Sequence, residues 1–255
     1  MKVEKNIYNN QRCFILGTGV GLMEENLSLL KNEITIGINL ILYKKDFTPN
    51  YLCVSDTQNL IRFNDIIFND RMSEGAYVVV NGCKIADKHG SHGNCNKGDN
   101  GSTCSDFKID PKYKNVYTVK HDEKSGIMCD HIDDARTKLL KTDQYYIDPK
   151  LKTVTAYGSG AVDNLAIPLA VYLGFKKIYL LGCDGMWSHF YDQHNGYYKD
   201  GRRDWINFKH VKKRLDSYGV KLLNCDRRNA FSELEYKKLE DVLMVKNFTE
   251  NNNGN

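Results

Sequence analysis

Long apolar runs are missing from this sequence. No stretch of 18 apolar residues occurs among its 255, so no helix is expected to span a membrane. The N-terminal MKVEKNIYNNQR is polar and lacks the apolar centre of a secretory leader, which makes a cytoplasmic chain the expectation. Strong charge is missing as well. A net charge of +4 suits an anionic small molecule or a weak contact with a membrane surface, and it falls far short of the basic stripe of a nucleic-acid binder. None of the eight cysteines forms a CxxC pair, and in a reducing compartment they are expected to stay reduced. Cys13, Cys53, Cys183 and Cys225 lie in or beside apolar runs, the ordinary place of a small buried thiol. Cys83, Cys95, Cys104 and Cys129 lie in or near a polar region that also holds His89, His92, His121 and His131. Their spacings of 12, 9 and 25 residues give a zinc site little support.

What is present is an alternation of apolar strand-like runs and helical periods. A strand is expected at 12–17 and a helix at about 22–31, with Leu22, Met23, Leu27, Leu29 and Leu30 on its apolar side. ITIGINLIL reads as a second strand at 34–42. A turn at Pro49 leads into a third, 51–55, which ends on Asp56. Helical TQNLIRFNDIIF and strand AYVVVNG at 76–82 follow. Residues 83–150 read as an insertion or lid, because 83–110 are rich in Gly, Asn, Ser, Lys and Asp and carry no apolar period. Order returns at 153 with a short strand, a Gly-Ser turn and a helix over about 160–173 that Gly174 stops. KKIYLLGCD has the continuous apolar character of a strand buried on both faces. INFKHVKKRLDSYG reads as an amphipathic helix, VKLLNCD as a strand, and FSELEYKKLEDVL as a closing helix capped by Ser232. The expectation is one α/β domain over 1–246, built on a doubly wound, mostly parallel sheet, with a disordered tail at 247–255.

Such sheets bind ligands beyond the carboxyl ends of their strands. Those ends are Gly17-Thr18-Gly19, Asn39, Asp56, Asn81, Asp184 and Cys225-Asp226. FILGTGVGL has the look of a strand, a tight turn and a helix N-terminus that cradle a phosphate. A dinucleotide fingerprint wants an acid at the end of strand two, where this chain has Asn39, and its third glycine comes one residue early. A P-loop needs Gly-Lys-Ser/Thr, which GTGVGLME lacks. Nicotinamide dinucleotides and ATP held in Walker fashion are both disfavoured.

FILGTGVGLMEENLSLLKNEITIGINLILYKKDFTPNYLCVSD resembles the N-terminal half of the bacterial sialyltransferase-like proteins, whose pattern is close to LGNGPSL, ITIGVNRI and FTPDYYVVVD. YGSGAVDNLAIPLAVYLGFKKIYLLGCD is similar to that family's Gly-Ser turn, helix and GFKEIYLIGVD strand, and HNGYYKDG to its HPDYYG segment. The resemblance implies a Rossmann-like, sialyltransferase-type fold. It also implies an inverting, metal-independent glycosyltransferase that moves a sugar, CMP-linked in the family, onto a glycan or lipid-linked acceptor. In the family an Asn of the first glycine turn contacts the nucleotide. Thr18 stands there, between Gly17 and Gly19. Asn39 matches a second Asn, Asp56 replaces a third, and Ser159 and Gly160 match the turn that approaches the cytidine phosphate. An Asp56 carboxylate can accept from a ribose or from a different base.

Sugar transfer must stabilise a departing phosphate and take a proton from the acceptor hydroxyl. LGCDGMW places Asp184 where an Asp-x-Asp metal motif would lie, but Gly185 and Met186 follow it, so neither a metal nor any other cofactor is indicated. Tyr191, Tyr197 and Tyr198 are candidate donors to the phosphate. His194, which matches the histidine of the family's HPDYY segment, and then His189 are the candidate bases. Trp187 and Trp205 flank this loop, and Lys199, Arg202 and Arg203 suit an acidic donor. Two other readings stay open. One is a diphosphokinase of the same fold, using ATP and magnesium at Asp56, Asp184 and Asp192. The other is a non-catalytic nucleotide-binding module. A homo-oligomer is compatible with each.

Overall fold

The computed structural model describes residues 1–54, 59, 63–81, 115–121, 153–156, 161–184, 189–191, 208–226 and 233–250. Its eight strands are β1 (Arg12–Leu16), β2 (Thr35–Ile38), β3 (Tyr51–Val54), β4 (Ala76–Asn81), β5 (Val116–His121), β6 (Thr153–Ala156), β7 (Lys177–Leu181) and β8 (Lys221–Asn224). They form one sheet in the order β6-β5-β4-β3-β2-β1-β7-β8. Every pairing is parallel. The chain therefore winds outward from β1 to β6, then returns to lay β7 against the other side of β1. This is a Rossmann-like, doubly wound α/β fold, and its strand order reverses between β1 and β7.

The apolar runs are continuous because the sheet is covered on both faces. Cys13 and Ile15 of β1 join Ile36, Ile38, Cys53, Ile178 and Leu180 in one core. Phe14 and Leu16 join Leu52, Val54, Tyr179 and Leu181 in the other. The first core is closed by helix α2 (Ile167–Leu173) and by Val211 and Leu215 of α3 (Phe208–Ser217), following a short α1 (Asn64–Ile67) earlier in the chain. The second is closed by Leu22, Leu27 and Leu30 and by Leu239 and Val242 of α4 (Leu239–Glu250). Arg12 ties the sheet's lower edge together. Its Nε and Nη2 donate to the two Glu33 carboxylate oxygens at 2.9 and 2.8 Å, and Nη1 donates to the Val242 carbonyl at 2.6 Å.

Several expected elements differ in form. The helix placed at 22–31 is two 3-10 turns, Val20–Glu24 and Leu27–Leu30. Asn26 divides them by accepting from the Ser28 N–H at 3.2 Å and the Ser28 hydroxyl at 2.7 Å, a local bond that competes with helix propagation. Strand two stops at Ile38 rather than reaching Leu42, because Asn39 adopts φ +48° and turns the chain into a 3-10 turn, Ile41–Tyr43. Asparagine is among the few residues that visit this conformation readily. Val116–His121 lies within the stretch read as an insertion, yet it is a strand of the sheet between β4 and β6.

The helix before β7 opens with a π turn, Val162–Ala166, and becomes α-helical at Ile167. Pro168 accounts for the widening, since it has no N–H to give the carbonyl four residues back and its ring crowds that carbonyl. Gly174 ends this helix as expected, at φ +98°, with its N–H on the Ala170 and Val171 carbonyls. The closing helix begins at Leu239 and not before. Residues 233–238 form an extended hook in which the Asn224 N–H donates to Glu235 at 2.9 Å and the Lys237 N–H donates to Asn224 at 2.8 Å. Ser232, its expected cap, lies outside the described residues. Residues 247–250, expected to begin the disordered tail, continue α4.

Candidate functional site

The reversal between β1 and β7 brings two glycine-bearing strand ends side by side. The Gly17 N–H donates to the Leu181 carbonyl at 2.8 Å, and the Gly19 N–H to the Gly182 carbonyl at 2.7 Å. Side chains are excluded at this seam. A Cβ on Gly17 would lie 2.2 Å from the Gly182 oxygen, and Gly182 itself holds φ +58°. Beyond the seam, Asp184 turns back under the glycine turn. Its Oδ2 accepts from the Gly21 N–H at 3.2 Å, and its carboxylate would be 2.4 Å from a Cβ on Gly19. Asp226, at the end of β8, packs on the other side. Its carboxylate oxygens would lie 2.6 and 2.8 Å from a Cβ on Gly21. Both acids are 2% exposed.

This corrects the expectation that a helix N-terminus stands behind the glycine turn. A 3-10 turn follows the glycines, so no α-helical dipole points at them. The N–H groups of Gly17, Gly19 and Gly21 are already given to protein acceptors. The glycines serve close approach: they let two carboxylates and a neighbouring strand reach the turn's backbone. The buried Cys183 thiol beside them is pushed well up from its ordinary value by desolvation, and the Asp226 and Asp184 carboxylates add to the shift.

A second segment closes over the turn. His189 forms an antiparallel bridge with Gly19, and the Phe190 N–H donates to the Thr18 carbonyl at 2.9 Å. Thr18 Oγ1 and His189 Nδ1 share a hydrogen bond at 2.8 Å. Phe190 is buried and anchors the segment in the core, leaving His189 and Tyr191 half-buried. The His189 ring stacks on Tyr191, with centroids 5.0 Å apart and planes at 16°. Tyr191 leans on Tyr43 at 5.2 Å, and Tyr43 meets Phe63 edge-on at 6.1 Å. Asn39, at the end of β2, is half-buried, with its N–H on the Cys53 carbonyl at 2.8 Å.

Of the expected site residues, Gly17, Thr18, Gly19, Asp184, His189 and Tyr191 thus meet at the β1/β7 reversal, and Asn39 stands at the adjacent strand end. Asp56, Ser159, Gly160, His194, Tyr197 and Tyr198 lie outside the described residues, as do Trp187, Asp192, Lys199, Arg202, Arg203 and Trp205. Sequence reasoning missed Tyr43 and Phe190. Their signal was faint: each is one aromatic residue in a short apolar run, and what it touches is set by the sheet order. No helix among the described residues is long and apolar enough to cross a membrane, and these residues contain no cluster of metal-ligating side chains.

The chain is similar to the sialyltransferase CstII from Campylobacter jejuni, determined in complex with a substrate analogue, cytidine-5'-monophosphate, at 14% identity and a TM-score of 0.43, over 85% of this chain and 80% of that one. No family model matches the chain, and no curated protein matches it.

Proposed function

We propose that this chain is a metal-independent transferase of sialyltransferase type, which moves a sugar from a nucleotide-activated donor to a glycan hydroxyl. The observation that carries the reading is the Thr18–His189 pair at the strand-order reversal, the place where doubly wound sheets take their ligands. An imidazole held through Nδ1 has its ring orientation fixed, and proton exchange with an acceptor hydroxyl then falls to Nε2. His189 is accordingly the base in this proposal, and His194 is the alternative supported by sequence resemblance. Tyr191, Tyr197 and Tyr198 would donate to the departing phosphate. Asn39, Asp56, Ser159 and Gly160 would line the nucleotide.

Asp184 takes a different role from a metal ligand. It is buried and accepts from the turn backbone, so it shapes the turn on which Thr18 is presented. This weighs against the magnesium-dependent diphosphokinase, which needs that carboxylate turned toward phosphates. A melting-temperature panel with CMP, CDP, UDP, GDP and ATP, each with magnesium and with EDTA, tests the proposal. A bound nucleotide raises the melting temperature by mass action. A rise with a nucleotide that persists in EDTA is the expected result. A rise confined to ATP with magnesium, or none with any nucleotide, would overturn it.

A further inference from the structure

Resting on the nucleotide reading above, the geometry points to a specific subsite. We infer that Tyr43 and Lys44 form a stacking ledge beside the β1/β7 reversal, which takes the nucleobase on Tyr43 and the attached anion near Lys44. Tyr43 is the exposed member of the ring row His189, Tyr191, Tyr43 and Phe63, at 38% exposure, while the other three are half-buried. An aromatic residue backed by further rings at 5–6 Å offers a rigid π face at small entropic cost. Every base has such a face, so stacking takes a nucleobase without reading its identity.

Lys44 sets the sign of the ligand. Its Nζ lies 5.9 Å from the centroid of the Phe190 ring, next to the His189–Tyr191 segment. An ammonium on the residue next to Tyr43, held over the Phe190 ring that packs on Tyr191, favours a planar group that carries negative charge over a neutral pyranose. The ledge is also held still. Arg71 Nη1 donates to the Lys44 and Lys45 carbonyls, each at 3.0 Å, and Nη2 donates to the Leu42 carbonyl. One planar guanidinium thus gathers the carbonyls on either side of Tyr43, a task for which its fork of donors is suited and an ammonium is not. A subsite fixed before its ligand arrives loses less freedom on binding.

Isothermal titration of the full chain and its variants with CMP, UMP, AMP and ribose 5-phosphate tests the ledge. In the wild type, at least one nucleotide should bind more tightly than ribose 5-phosphate. Tyr43→Ala should weaken that nucleotide about tenfold and leave ribose 5-phosphate unchanged, whereas Tyr43→Phe should change neither. Lys44→Gln should weaken all phosphate-bearing ligands together. Equal nucleotide affinity in wild type and Tyr43→Ala, with both folded by circular dichroism, overturns the ledge and leaves the proposed function standing. Equal affinity of nucleotides and ribose 5-phosphate in the wild type does the same. No binding of any of the four overturns the nucleotide reading and the ledge with it.

Discussion

Thr18 and His189 are 171 positions apart in the chain, yet their side chains meet at 2.8 Å. The backbone supports the contact through the antiparallel Gly19–His189 bridge, of which the Phe190 N–H on the Thr18 carbonyl is one bond. The bridge and the side-chain bond together aim the ring beyond the β1/β7 pairing.

Removing the Thr18 hydroxyl while keeping its shape therefore isolates the aiming. Thr18→Val should lower folding stability by about 1 kcal/mol, the ordinary worth of one hydrogen bond. In a transfer assay His189→Ala should cut kcat by about 100-fold or more. Thr18→Val should cut it less, with little change in donor KM, and Thr18→Ser should restore it. A Thr18→Val variant with wild-type kcat and an unaltered pH profile would remove the hydroxyl from the proposed mechanism.

Two glycines, one in the turn before β8 and one at the seam, make a graded pair. Gly219 sits at φ +66° with open space around it, so Gly219→Ala should cost only the left-handed backbone penalty, about 1–2 kcal/mol. Gly17→Ala drives a methyl against the Gly182 backbone oxygen, and that oxygen cannot retreat without parting β1 from β7. The cost should be about 3 kcal/mol or more. Urea denaturation of the two variants side by side gives the order.

The Arg12–Glu33 pair is bidentate and largely withdrawn from water, at 15% and 6% side-chain exposure. Glu33→Gln leaves the guanidinium without its counter-charge and should destabilise the fold by about 3–5 kcal/mol. Replacing both partners with apolar residues of similar volume should cost far less, because no buried charge is then left behind. Equal losses in the single and double variants would refute this account.

The core thiols give a pH dependence. Burial pushes Cys225 from 9.0 up to about 12, with Glu25, Asp226 and Glu240 adding to the shift. Burial also raises Cys13, Cys53 and Cys183 well above their ordinary value. The unfolded chain loses these protons first. The stabilisation is therefore complete below pH 9.0 and declines as pH climbs from there toward about 12 for Cys225. Urea midpoints should fall between about pH 8 and about pH 10.5, and the fall should be shallower in Cys225→Ala.

The sheet was largely legible because strands buried on both faces are apolar without interruption: CFIL, YLCV and KIYLL have no other common explanation. β5 escaped because VYTVKH alternates polar and apolar residues within a polar neighbourhood, and pairing with β4 and β6 makes it a strand. The 3-10 turns escaped because leucines at 27 and 30 fit a three-residue period as well as a helical one, and Asn26 decides between them through its bonds to Ser28. The strand ends stood out as a set of polar and glycine residues, and Gly17, Thr18, Gly19 and Asp184 of that set come together at the β1/β7 reversal. Their division of labour was not legible. Whether GTGVG receives a phosphate or an aspartate depends on Asp184, which the turn meets only after the sheet has closed.

That dependence has a consequence for synthesis. The glycine turn emerges with the first strand, but 163 positions separate Gly21 from Asp184. At roughly 5–20 residues per second, the nascent turn waits on the order of ten seconds for its carboxylate, its neighbouring strand and its histidine. During that interval β1 has only β2 beside it, and its other edge is bare. Until β7 arrives, the backbone groups of that edge stand open to pairing with another chain.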